Sequence, residues 1–519
     1  VGTAYAAIVG ETTDAKYSDN EVAYVEILGN SANSASAGVV ANIANSAQVN
    51  NIKMDGNKYT LLFKNKYSAL LVGTASERSS ISNCESSGKY YFGSKYKQSN
   101  RSNATNEGLS YIAGICASLT SNSRVYSCVN SANIVGRDYI AGICATVDSS
   151  CTITNTNPKD KDNHSKFEYT FGNETVVSLT ANTGYIKAYG NNVGGIVSTI
   201  NLATNLYGST TQGTATLTNC INEGEISSSF GSYVGGIAGV VQAVKISNVV
   251  NTASVQGEQG GYVGGIIGAT TGNEVSITLS GYIIVNNADV TISAANSHVG
   301  GVAGYAKLKA NDRSIPNFSI KTGEIKGDNF VGAVFGKLET ADDQTTINQK
   351  VVVHFGELKA NAYAGGYAGK AVNKNNTALE FKDKKNFNPE SSGTIINIGT
   401  SLLGNGKVTI TTDPPTEGST YYNDATSHNT GLAQIGLSGG RSDATFGDFV
   451  KYKDVTASSI ETVDKKKTLE FRYAEGLMWN FEASLTKFST TQTKNDTTST
   501  NPTNFGKANG IYGSDMKGD

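Results

Sequence analysis

Proline is nearly missing from this chain, with 6 in 519 residues. Histidine is scarcer still at 4, and tryptophan occurs once. Charged residues make up 17%, below the quarter usual for soluble domains. The formal net charge of −2 and the lack of a basic stripe in the sequence argue against a nucleic-acid partner. No run approaches the ~18 apolar residues of a membrane-spanning helix, and the opening residues do not read as a signal peptide. The four histidines, His164, His298, His354 and His428, are scattered. There is no His-Glu-x-x-His zinc motif, no Gly-x-Ser-x-Gly elbow and no phosphate-binding loop. Calcium-loop patterns are missing as well. No catalytic, cofactor-binding or metal-binding residue is expected. Asp148, Asp289 and Asp328 lie near turn signals. A pair of such carboxylates meeting across repeats is what a carbohydrate-active β-helix enzyme would require.

What the chain has in quantity is glycine, 58 residues, and a phrase built on it. The phrase reads Tyr-Val-Gly-Gly-Ile-Ala-Gly at 233–239 and Tyr-Val-Gly-Gly-Ile-Ile-Gly at 262–268. Further copies start at 111, 139, 192, 298, 330 and 363, with weaker ones at 4, 35 and 67. Their fifth residues are Ile8, Val39, Leu71, Ile115, Ile143, Ile196, Ile237, Ile266, Val302, Val334 and Tyr367. The spacing fits a basal unit of about thirty residues with insertions. Such self-similarity predicts a solenoid whose repeats share one core. The expected fold is all-β: a right-handed parallel β-solenoid of about eleven rungs, plus a β-rich C-terminal region.

Position three of the phrase is Ala or Gly in every copy, and position four departs from this only at Leu70. Taken as one strand, the phrase puts Tyr, small, Ile and small on one face and Val, Gly and Ala on the other. A strand apolar on both faces is normally covered on both. One face would line the core. The aromatic stripe Tyr111, Tyr139, Tyr233, Tyr262, Phe330 and Tyr363 would meet either the chain's own loops or a partner. His298 stands in the same slot and reads as a tyrosine substitute.

A second phrase lies between the copies, as in ISNCESSG at 81–88 and LTNCINEGEIS at 217–227. Its Asn and Gly tolerate left-handed or turn conformations, and stacked Asn residues can bond along the ladder. Each rung should therefore carry three short strands. The six cysteines are Cys84, Cys116, Cys128, Cys144, Cys151 and Cys220. Cys116 and Cys144 share a slot in adjacent rungs, which suits either a small apolar ladder or a disulfide.

The repeats span 1–370, with insertions near 74–110, 148–190 and 199–230. Residues 371–490 read as degenerate rungs, a cap or a small β domain. Within them an Asn-Gly turn at 393–412 signals a hairpin, and 468–488 alternates like a strand pair. The stretch 491–519 is a Ser/Thr/Asn-rich tail or linker. Val1 opens directly in strand-like sequence without a polar cap. The expectation is a piece of a longer secreted protein, or a first rung covered by a neighbouring subunit. Asn-x-Ser/Thr triplets occur at Asn103, Asn163, Asn173, Asn317, Asn375 and Asn495 and matter only in a eukaryotic secretory setting.

The phrase YVGGIAG together with NCINEG at 219–224 resembles the GLUG-type repeats of large surface and secreted proteins, mostly bacterial. These include adhesin-like proteins and regions of some IgA-cleaving metallopeptidases. The resemblance covers roughly residues 1–370 and is strongest over 107–370. The peptidases carry a separate His-Glu-x-x-His domain, which this sequence lacks, so proteolysis is not implied. The resemblance implies a non-catalytic extracellular or cell-surface stalk, adhesin or fibre component. The partners to expect are glycans, host surface proteins or further copies meeting at the solenoid ends. The alternatives are a carbohydrate-active β-helix enzyme and a filament subunit stacking end to end.

Overall fold

In a computed structural model the described residues are 4–6, 9–13, 16–17, 21–22, 35–56, 67–91, 110–155, 167–202, 213–258, 261–271, 276–286, 290–292, 297–308, 316–343, 346–360, 363–376, 379–381, 387–389, 394–397, 451–453, 467–473 and 477–483. They fall into two compact units, Val1–Gln259 with Gly265–Ile284, and Gly260–Gly264 with Val285–Asp519. The described residues contain strands and turns and no helix, so none is long and apolar enough to cross a membrane.

The rung that begins at Tyr233 shows the plan. Strand Tyr233–Gly235 lies in a first sheet, the chain bends at Gly236 and Ile237, and Ala238–Val241 lies in a second sheet. Strands Ala243–Asn251 and Val255–Gly257 belong to a third. Each pairs in parallel with its counterpart one repeat away: Val234 with Val193, Ala238 with Val197, Asn251 with Asn222, Val255 with Ile226. This is the parallel β-solenoid that the repeats predict. Seven phrase strands follow one another in the first unit. The second unit holds four, at Tyr262–Gly264, His298–Gly300, Phe330–Gly332 and Tyr363–Gly365.

The phrase is an arch of two strands, and this corrects the face assignment drawn from simple alternation. Extended, positions one and five would share a face. With the bend between them, Tyr233 is half-exposed outside while Ile237 is fully buried. Every fifth-position residue from Val39 to Tyr367 is at most 1% exposed. The bend also explains the small residues at positions three and seven. A Cβ on Gly235 would stand 2.0 Å from the Ala238 oxygen and 2.7 Å from the Gly268 nitrogen. The first and second sheets meet backbone to backbone there.

The third sheet is kinked. Asn83, Ser127, Asn219 and Asn248 hold φ between 46° and 54°, and the residue after each turns inward. Asn is the side chain that tolerates this region best after glycine. Before the kink the strands alternate out, in, out, as in Gln48-Val49-Asn50, Ser80-Ile81-Ser82 and Arg124-Val125-Tyr126, with Val49, Ile81 and Val125 fully buried. After it come Cys84, Cys128 and Cys220 in the core. Cys116 and Cys144 are partners in the second sheet. All six cysteines are free thiols and all are buried.

Two residues past the kink, the first unit carries a buried column of asparagines. Asn130 Nδ2 donates to Asn182 Oδ1, Asn182 Nδ2 to Asn222 Oδ1, and Asn222 Nδ2 to Asn251 Oδ1, each at 2.7 Å. The second amide hydrogen of each goes to a carbonyl two residues on: Ala132, Gly184, Gly224 and Ala253. Ser86 Oγ donates to Asn130 Oδ1 at 2.8 Å. All five side chains are 0% exposed, and both amide hydrogens of Asn130, Asn182 and Asn222 are satisfied without water.

The second insertion contributes a hairpin, Glu168–Phe171 with Glu174–Val177. Phe171 packs with Leu179, Ala181, Ile221, Val250 and Ile284. Ala181, Ile221 and Val250 are neighbours in one register column, so the hairpin covers the flank of the third sheet. Segment 199–230 contains paired rung strands Ala215–Asn222 and Ile226–Ser228, and segment 74–110 contains Ser80–Ser82 and Glu85–Tyr91. Beyond 370, Phe387–Pro389 and Thr394–Asn397 still pair in parallel with Lys350–Ala360. Thr394–Asn397 is thus paired as a solenoid strand, and the rest of the segment 393–412 read as a hairpin lies outside the described residues. The strand pair expected at 468–488 is present as Lys467–Tyr473 against Leu477–Ala483, antiparallel. The tail 491–519 lies outside the described residues.

Two outcomes follow from this packing. Asn222→Ala leaves a donor on Asn182 unpaired in a dry core and takes from Asn251 Oδ1 one of its two donors, the other being the Ala253 N–H at 3.3 Å, and should cost about 1–3 kcal/mol in urea denaturation. A loss under about 0.5 kcal/mol would mean that the column is hydrated. Burial also raises the Cys128, Cys144 and Cys220 thiol pKa values. Being buried, all six thiols should resist a thiol reagent in the native chain and react together in denaturant.

Candidate functional site

Two surfaces stand out. The first is the aromatic column of phrase position one. Tyr67 and Tyr111 have ring centroids 4.9 Å apart, and Tyr111 and Tyr139 stack at 4.4 Å with 12° between their planes. All three rings are half-buried. Tyr111 and Tyr139 hold φ of 63° and 58°, an uncommon backbone state for a bulky side chain. The next copy answers the same demand with Asn192, at φ 60°, and there the stack stops. Tyr233 stands one copy further on. In the second unit His298 lies between Tyr262 and Phe330, 5.0 Å from each ring. The structure therefore brings Tyr111 and Tyr139 together, adds Tyr67, which the sequence-based stripe omits, and joins Tyr262 to Phe330 through His298. The side chain of Tyr363 lies outside the described residues. A short charged cluster flanks this unit's column, with Glu339 3.6 Å from Lys307 and 3.3 Å from Lys337.

The second surface is a shallow groove of 490 Å³ on the outer face of the third sheet in the first unit. It is lined by Gln48, Arg78, Ser80, Asn122, Arg124 and Tyr126. The out, in, out strands supply Gln48, Ser80 and Arg124 as neighbours in one register column. Arg124 Nη1 donates to the Tyr126 hydroxyl at 3.1 Å. Arg78 and Asn122 come from turns that stack on one another, the Arg78 N–H donating to the Ser121 oxygen at 2.8 Å. None of the six lining residues is a carboxylate.

None of the carboxylates singled out from sequence is among the six lining residues. Asp148 accepts the N–H groups of Ser121 and Ser150, each at 2.8 Å, and the Cys151 thiol at 3.2 Å. It caps a turn. Asp289 lies outside the described residues, and Asp328 takes the Ser297 hydroxyl through its own N–H. His164 and His428 are outside the described residues. Among the described residues no three His, Cys, Asp or Glu side chains gather into a metal-sized group.

Compared with protein families, with curated proteins and with solved structures, the chain matches none. What it does has to be argued from its own surfaces.

Sequence reasoning missed the groove. The available signal was the outward slot of the second phrase, where arginine, one of seven in the chain, replaces serine or glutamine. For the aromatic column, burial and then the neighbouring Tyr139 push the Tyr111 pKa from 10.0 to about 12. Because the folded value is the higher one, the contribution of the neutral ring persists through pH 10 and fades as pH rises through about 12. Subtracting the alkaline absorbance titration of Tyr111→Phe from that of the wild type should reveal a phenol ionising near pH 12. Ionisation near pH 10 would place the ring in open water.

Proposed function

We propose that this chain is a non-catalytic repeat protein of the cell surface or extracellular space, with a structural or adhesive role. The observation that carries the reading is where polar side chains go. The fully buried asparagines Asn130, Asn182, Asn222 and Asn251 of the first unit bond to one another between rungs. The polar side chains lining the groove carry guanidinium, amide and hydroxyl groups, which suit holding a polar ligand. A glycosidase groove would carry two carboxylates flanking the scissile bond. The likeness of the phrases to GLUG-type repeats supports the extracellular setting and the surface-protein role. It remains a resemblance of short motifs.

The test is a glycan array read alongside an assay for product release. Retention of the full chain on a subset of glycans, with no shortening of any of them, is the expected outcome. Release of reducing ends or unsaturated products from a bound polysaccharide would replace this reading with the enzymatic one.

A further inference from the structure

We propose that the groove on the third sheet binds an acidic saccharide chain, with its carboxylates on Arg78 and Arg124 and a sugar ring on Tyr126. The inference deepens the adhesive reading and rests on it for the binding role alone. Three observations lead to it. Two of the seven arginines line one groove, and among the described residues neither forms an ion pair with a carboxylate. The described pairs engage Lys53, Arg137, Lys307 and Lys337 instead. A guanidinium fork is the side chain best matched to a carboxylate.

The second observation is the backbone of Arg78. The turn Ser76–Ser79 closes with the Ser79 N–H on the Ser76 oxygen at 3.2 Å, and its centre is Glu77 and Arg78 at φ 55° and 64°. Two central residues at positive φ make a type I′ turn, which favours Asn and Gly. The turns above and below carry one Asn each, in Asn45-Ser46 and Ser121-Asn122. The turn of Glu77 and Arg78 carries neither Asn nor Gly, and of its two central residues Arg78 lines the groove. Strain held against an easy alternative points to use. Glu77, on the same turn, is exposed and is not a lining residue.

The third is the shape and chemistry of the rest. Tyr126 is half-buried, and its hydroxyl is already tied to Arg124, so its ring forms a fixed wall. Gln48, Ser80 and Asn122 offer both donors and acceptors, as sugar hydroxyls require. The column continues past Arg124 with Thr152 and Thr216, a polar track stepping ~4.8 Å per rung along which a chain can lie. An acidic peptide fits less well. Strand addition needs a free sheet edge, whereas this groove lies on a sheet face whose main-chain groups are paired between rungs.

The full chain is titrated calorimetrically with an oligogalacturonate, with its methyl-esterified and therefore neutral counterpart, and with polyglutamate. Binding of the uronate alone is expected. Arg124→Gln should weaken it roughly tenfold to a hundredfold, the range for a charge-assisted hydrogen bond. Arg78→Asn should weaken binding while raising the denaturation midpoint, since Asn accepts the left-handed turn; a merely structural Arg78 would show the second effect without the first. No uronate binding, equal binding of the ester, or equal binding of polyglutamate overturns the proposal. If neutral glycans on the array are bound but uronates are not, this inference falls and the adhesive reading stands. If the uronate is bound and cleaved, the site stands and the non-catalytic reading falls.

Discussion

A buried amide beside a residue with no side chain is the constraint on which the first unit depends. Position four of the phrase and the inward asparagine of the third sheet occupy the same space. A Cβ on Gly114, Gly142 or Gly195 would stand 2.1, 2.2 or 2.3 Å from the Oδ1 of Asn130, Asn182 or Asn222. On Gly236 it would meet Asn251 Cγ at 2.6 Å. The glycine is therefore required by the asparagine, and the asparagine is tolerated in a dry core only because its neighbours along the column complete its hydrogen bonds. Two phrases that lie from 15 residues apart, at Gly236 and Asn251, to 40 apart, at Gly142 and Asn182, are one structural statement.

Where the asparagine is replaced, the volume is made up elsewhere. Met54, Ser86 and Asn130 occupy one register column. Opposite Met54 the phrase has Gly38, whose added Cβ would meet the Met54 methyl at 2.8 Å. In the rung of the small Ser86 the phrase carries Leu70, the single large residue at position four, and it is fully buried. In the second unit Gly301 faces the Ile320 methyl at 3.0 Å. Core packing near crystal density leaves no slack for two large groups or two small ones at such a contact. The exceptions in the repeat are thus paired exceptions.

The architecture was legible in the chain because a solenoid writes its geometry as period, and the fifth-position aliphatics marked the core without help from the structure. The shape of the phrase was not legible. Alternation cannot distinguish a seven-residue strand from two short strands joined by a bend, since both are apolar throughout; only the clash that would arise at Gly235 or Gly268 tells them apart. The aromatic stripe was half legible. Identity of slot placed Tyr111 beside Tyr139, but Tyr67 belonged to a copy too degenerate to be included. The groove was not legible, because its residues share neither type nor phrase position and become neighbours only through the register of the third sheet and the stacking of its turns.

The asparagine column also has a direction. Asn130, Asn182 and Asn222 each donate to the next asparagine on the C-terminal side, all four accept from the N-terminal side, and the bonds to Ala132, Gly184, Gly224 and Ala253 lock each group in that sense. The side chains form a head-to-tail file of dipoles. A rung can therefore be copied into the file, or removed from it, as a whole unit in the same orientation, with the bonds above and below re-forming unchanged. No rung can be grafted in the opposite sense, and no half rung will do. The chain is in this respect written in a language with one reading direction. Lengthening it by duplication is chemically simple, while the same residues in any other arrangement would leave bare amides at the seam.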